Sequence, residues 1–599
     1  MLATRRFLFI ALLCSAPALP AQVRYFDNGQ QLTTPPSNSK PEDRCVLQGR
    51  VTNALSGEPV RKASLRLTRQ IQQTNADPGM QQSQGYSTTA GPDGTFEIDN
   101  IEPGDYRLSG ERFGYLNSQY GAKNYGDRGT TITLRPGQQM TNINFGLTPQ
   151  AVLTGKVVDQ DGDPVPNVQV SLIGQMWQRG KLTHTMQNGG GTNDLGEFRM
   201  ADVRPGKYYL LVQAMRYPGD RESAYNGKPE VRPVKTFYPE APTLQSATAL
   251  DVKAGQELSG MDVRMRTSAT FHIRGKVVGV LPDGVNNRLN VTASAHDDME
   301  MMPFMGNGAV MTKDRTFDVA AVPPGVYTLT LYAAGGPVRV MARQDVEVGQ
   351  GDINDVELMI QQPGTLRGQI SFEGNPPAGT TPANIKNVRV FLTSAEANRL
   401  MMGNNSATPA DDGSFAIENV MPGKFYVQAN PPGGTYLKSM RLGNQEMAGK
   451  DIELASGSGQ LSLVYSYGVA EVDGTVQFPQ ESPGSTTNGT AGQASTPDAS
   501  IVLIPDQLNE DGSGIHNGNS TSGGAFTLKS VPPGRYRAYA FETLQYGALQ
   551  NPDIQRELAS RGVDVELKEN DRKQLQLNLI TADEMNQIYS KLGIEIPQE

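Results

Sequence analysis

Five stretches of the chain alternate apolar and polar residues around a central glycine: Leu47-Gly49-Val51, Leu153-Gly155-Val157, Ile273-Gly275-Val277, Leu366-Gly368-Ile370 and Val472-Gly474-Val476. A period of two puts alternate side chains on one face of an extended segment, so each stretch predicts a β-strand with an apolar face toward a core. A second alternating strand follows each, with inward sets Ala63-Leu65-Leu67, Val168-Val170-Leu172, Leu289-Val291-Ala293, Val388-Val390-Leu392 and Ala499-Ile501-Leu503. Next comes a repeated phrase: Phe, an apolar residue two later, an aliphatic three further, then Pro-Gly, one free position and an aromatic ring. Its copies run from Phe96 to Tyr106, Phe198 to Tyr208, Phe317 to Tyr327, Phe415 to Phe425 and Phe526 to Tyr536. Pro sets φ and Gly accepts the positive φ of a type II turn, so the phrase predicts a hairpin. Closing strand pairs are predicted at 132–134 with 143–145, 250–252 with 261–263, 346–348 with 356–358, and 563–565 with 575–577.

Seven or eight short strands with turns every eight to twelve residues predict an antiparallel β-sandwich. The repeat recurs at roughly 100 residues, enough to bury its own core, so the chain reads as all-β, a tandem array of about five sandwiches in a row. The expected divisions are 45–147, 148–266, 267–361, 362–467 and 468–580, behind a flexible lead at 22–44. A Gln-rich loop at 70–84 and a Ser/Thr/Gly-rich loop at 480–497 interrupt the first and fifth units. Thr581 N-caps a short helix that Gly593 stops, and a tail runs to Glu599.

The first residues change the expected compartment. Arg5-Arg6, an apolar run from Phe7 to Leu13 and small residues up to Ala21 predict a signal peptide at 1–21. The protein is therefore expected to be exported to the periplasm, cell surface or exterior. Beyond that leader Cys45 is the sole cysteine, which leaves burial rather than disulfides to hold the units. No later run is long and apolar enough for a transmembrane helix. The net charge of −9 repels phosphate backbones, so nucleic acid is not an expected partner. The abundance of turn formers, 65 glycines and 40 prolines, fits many short strands rather than long helices.

The first-strand Gly, the turns Gly57-Glu58-Pro59-Val60 and Gly162-Asp163-Pro164-Val165, and Asp-x-Gly-x-Phe leading to Pro-Gly-x-Tyr resemble the carboxypeptidase regulatory-like domain. The resemblance covers nearly all of residues 45–580 and implies a transthyretin-like, seven-stranded sandwich of the carbohydrate-binding-like fold group. It implies no catalytic residues. The third unit has Arg315-Thr316 before Phe317 and the fifth has Gly523-Gly524, so different turns are expected there.

Chemistry is sparse. A zinc carboxypeptidase needs His-x-x-Glu, and none of His184, His272, His296 and His516 has Glu three residues on. Gly-x-Ser-x-Gly and phosphate-binding glycine loops are absent, so no catalytic residue and no cofactor is predicted. Asp159-Gln160-Asp161-Gly162-Asp163 resembles a calcium loop but has Val170 where the bidentate Glu belongs, and reads as a turn. His296, Met299, Met301, Met302 and Met305 gather soft donors suited to Cu(I), set against methionine as mere packing. Trp177, expected in a loop near Arg179, Lys181 and His184, and Tyr115, Tyr120 and Tyr125 are candidate ligand-binding aromatics; equally, they could cap sandwich ends or junctions. The sequence thus predicts a non-catalytic binding protein of the envelope or exterior, with polysaccharide the first ligand class to test. A structural scaffold for envelope proteins is the alternative, and an unrecognised hydrolase the third reading.

Overall fold

A computed structural model describes residues 40–594 except 71–84, 123–128, 179, 215–229, 282–288, 297–306, 334–338, 377–381, 395–405, 448–450, 456, 480–497, 509–513 and 522. The expected leader, residues 71–84 of the Gln-rich loop, the Ser/Thr/Gly-rich loop, Tyr125 and the four methionines at 299–305 lie outside the described residues. The described chain is a tandem array of β-sandwiches with two short α-helices, Pro552–Leu558 (α1) and Ala582–Lys591 (α2). Five hydrophobic cores follow one another along it: from Cys45 to Leu147, Ala151 to Met265, Phe271 to Ile360, Leu366 to Tyr465 and Ala470 to Leu579. Every apolar residue of the first and second strands named above is buried.

The pairing within a unit differs from the expected hairpins. In the first unit Thr95–Ile101 pairs with Cys45–Asn53, whereas Gly104–Glu111, beyond the Pro-Gly, pairs with Ser64–Arg69 in the opposite sheet. The Pro-Gly is therefore a corner between sheets. Gly104 has φ +152°, with close values at Gly206, Gly325 and Gly423, and not the smaller positive φ of a type II turn. The expected closing pairs also separate: Ile132–Leu134 joins Gly104–Glu111, and Gln139–Leu147 runs parallel beside Cys45–Asn53. A parallel first and last strand recurs in all five units, which corrects a wholly antiparallel reading. Alternation decides which face a residue occupies but not which strand lies beside it.

The first-strand glycine and the signature Phe explain each other. Gly49 lies directly opposite Phe96, Gly155 opposite Phe198, Gly275 opposite Phe317, Gly368 opposite Phe415 and Gly474 opposite Phe526. A Cβ on Gly155 would stand 2.8 Å from Phe198 Cζ and overlap the Met261 carbonyl, which lies between the parallel segments Glu257–Leu258 and Val263–Arg264. The missing side chain leaves the space that the ring fills, an aromatic covering a cross-strand glycine.

The aromatic after Pro-Gly closes the corner. The hydroxyls of Tyr106, Tyr327 and Tyr536 donate to the carbonyls of Glu102, Pro323 and Pro532, four residues back, at 2.8–2.9 Å. Burial pushes the Tyr536 phenol up to about 12, so it stays a donor at any physiological pH.

Arg315 corrects a further expectation. It occupies the turn with φ +62°, as Gly94, Gly196, Gly413 and Gly524 do with φ +72° to +82°, and its carbonyl accepts from Val277 as theirs do from the equivalent strand. The turn is thus the same in all five units. Likewise Asn100, Asp202, Ala321, Asn419 and Ser530 share a left-handed position at the bulge before the corner. Only Ala321 lacks a side chain that eases that conformation. Ala321→Asn is expected to stabilise the third unit by about 1 kcal/mol, read as a higher denaturant midpoint; a lower midpoint would contradict it.

Candidate functional site

The one expected site residue around which distant parts of the chain converge is Trp177. It lies on a strand, Val168–Gln178, and not in a loop; with Lys181–Gly191 this strand forms a long hairpin on the second unit. The tip of that hairpin docks on the fifth unit. The Gly180 N–H donates to the Gly547 carbonyl and the Asn551 side-chain amide donates to the Gly180 carbonyl, both at 2.9 Å. Backbones approach this closely because both faces carry glycine. A Cβ on Gly180 would lie 2.5 Å from the Gln550 carbonyl oxygen, and one on Gly547 would lie 2.6 Å from that of Trp177.

The seat is built by local rules. Asn551 Oδ1 accepts from the Asp553 and Ile554 N–H groups and caps α1, with Pro552 in the first turn, while its Nδ2 faces the hairpin. Thr581 caps α2 in a reciprocal capping box with Glu584, and Gly593 follows it at φ +66°. The two helices cover the outer face of the fifth unit, where Val502, Ile504, Tyr539 and Phe541 pack with Leu549, Ile554, Leu558, Met585 and Tyr589. Trp177 joins this cluster, its ring stacked on Tyr589 at 6.4 Å and 29°. A cleft of about 470 Å³ opens beside the contact, lined by Gln175, Trp177, Lys181, Leu182, Asn551 and Ile594.

A second contact joins the fifth unit to the first. Asp498, buried just before the Ser500–Pro505 strand, pairs with Arg107 and accepts from the Thr131 hydroxyl at 2.9 Å. These contacts differ from the independent row that the sequence suggests, because the last unit touches the first two.

The other expected residues do not gather here. Tyr115 and Tyr120 are half-buried and pack against the first core, and burial raises the Tyr120 phenol. His296 is exposed and faces Asp345 at 3.4 Å. His184 lies 3.3 Å from Gln175 and edge-on to Tyr209, and His516 lies edge-on to Tyr536. His272 bonds Asp318 at 2.6 Å, and Arg274 bridges Asp318 and Asp352, a network tying the strands of the third unit that sequence reasoning missed. Asp159 Oδ1 accepts from the N–H groups of Asp161 and Asp163, which makes the acidic run a turn. Among the described residues no group of three or more His, Cys, Asp or Glu is placed to hold a metal, and no helix is long and apolar enough to cross a membrane. Gly180, Gly547 and Asn551 also escaped the sequence reading, although Asn551-Pro552-Asp553 is a legible helix start.

The carboxypeptidase regulatory-like domain family matches residues 46–148 and 152–266, two tandem matches that fall on the first two units. No curated protein matches the chain. Solved structures similar to it include the Bacillus anthracis TIE protein, at 10% identity and TM-score 0.15 over 71% of this chain and 73% of that one. The minor pilin GBS52 of Streptococcus agalactiae is similar at 11% identity and TM-score 0.21, over 40% of this chain and 99% of that one. Two B repeats of the Staphylococcus aureus collagen binding protein reach 13% and 0.12, over 70% and 99%.

Proposed function

We propose that this chain is an exported, non-catalytic scaffold that holds β-sandwich units in a fixed lateral arrangement at the cell envelope or exterior and binds partner proteins there. The observation that supports this reading most is the docking of Gly180 on Gly547 and Asn551, a contact between units that are not neighbours in sequence. A spacer of independent beads has no use for facing glycines. Small-angle scattering of the full chain tests it: the wild type is expected to give the compact curve of the docked arrangement, and Gly547→Val an expanded one. An extended wild type would overturn the scaffold reading.

Saccharide binding is the second reading, favoured by the cleft that places Trp177 beside Gln175 and Lys181. The face of Trp177 is engaged by Tyr589, so a sugar would meet the ring edge and the polar side chains rather than stack on a free ring. Glycan-array binding by the wild type that disappears in Lys181→Ala would support it; an array without signal would remove it.

A further inference from the structure

The hairpin and its seat have three properties of an exchangeable contact. First, each belongs to a unit with its own core, the hairpin to the second and the seat to the fifth, so they can part without either unit unfolding. Second, docking is expensive in polar groups. Trp177 Nε1 and the side-chain oxygens of Gln175, Gln545 and Gln550 are buried without a hydrogen-bond partner among the described residues. At the Asp498 contact, Arg107 Nε and Asp498 Oδ1 are in the same state. Such atoms forfeit hydration while docked and regain it on opening, which lowers the net gain of the closed form. Third, the recognition is geometric and complete within the pair: a positive-φ glycine at the hairpin tip, a glycine in the seat, and a Trp ring beside a Tyr.

We infer that the β-hairpin carrying Trp177 and Gly180 is a reversible docking element whose second occupant is the Gly547–Asn551 seat of another copy of this chain. The surface that fits the seat is already present in the molecule, so a neighbouring copy supplies the same hairpin with the same shape. The intramolecular contact prevails in dilute solution, where the tether sets a high effective concentration, and exchange between copies takes over when chains are crowded, as on a surface. This step rests on the docked arrangement proposed above.

Two single variants separate the halves of the contact. Gly547 has an ordinary φ of −64°, so Gly547→Val leaves the backbone unstrained and introduces only the clash with Trp177. Gly180→Val spoils the hairpin and leaves the seat intact; Trp177→Ala serves as a second hairpin-side variant should Gly180→Val misfold. Light scattering after size exclusion, from about 1 to about 500 µM, is expected to show each variant as a monomer when alone, since neither has both halves. Mixed in equal amounts they are expected to form a one-to-one heterodimer, the hairpin of the Gly547→Val chain in the seat of the Gly180→Val chain. The wild type is expected to dimerise with rising concentration. A mixture that stays monomeric over this range overturns the exchange, and if the wild type is compact in scattering at the same time, the scaffold reading survives alone.

Discussion

Gly275→Val is expected to unfold the third unit while leaving the others folded. A Cβ there would lie 2.7 Å from Phe317 Cζ and overlap the Val356 carbonyl oxygen on the parallel strand, so neither the ring nor the backbone has room to yield. Overpacking of a filled interior costs typically 1–3 kcal/mol, and contact with main chain on one side and a buried ring on the other places this variant at about 3 kcal/mol or more. That is a large share of the stability of one domain. Hydrogen exchange on the full chain should lose protection over Phe271 to Ile360 and retain it in the cores before Arg266 and after Leu366, because the buried clusters are separate. Unchanged protection in the third unit would mean that the glycine does not face the ring.

Phe198→Ala carries the other large effect. The ring is 4% exposed and covers Gly155, so its loss opens a cavity over a residue with no side chain to fill it. The expected cost is about 3–5 kcal/mol. By contrast, Tyr106→Phe keeps the ring and removes only the hydroxyl bonded to Glu102, for about 1 kcal/mol. Because the second unit bears the docking hairpin, Phe198→Ala should also expand the scattering profile, an effect that Tyr106→Phe should not produce. A midpoint shift of similar size in both variants would contradict the cavity argument.

Strand faces, the turn positions and the helix over 582–591 are legible in the sequence because each depends on residues close together in the chain. Leu47 and Val51 point inward because they are two steps from Gly49, and Thr581 caps because Glu584 is three residues on. What the sequence does not reveal is long-range. Nothing local to Ile143 says that it runs parallel to Gly49, and the Pro103-Gly104 pair reads equally well as a hairpin or a corner. Arg315 departs from the repeat in residue type, yet the fold imposes the glycine conformation on it at the cost of strain. The same limit governs the site. Trp177 is the single tryptophan of the chain, but its partner Tyr589 lies about 400 positions away, and Gly180 and Gly547 are two among 65 glycines until the fold sets them face to face.

The parallel first and last strands have a mechanical consequence. In the first unit Cys45–Asn53 and Gln139–Leu147 are adjacent and point the same way, so traction on the two ends of the unit drags these strands in opposite directions along their length. The ladder between them then bears the load in shear, with its hydrogen bonds straining together rather than peeling one at a time. Repeated in every unit, this arrangement suits a chain that must keep its shape under tension.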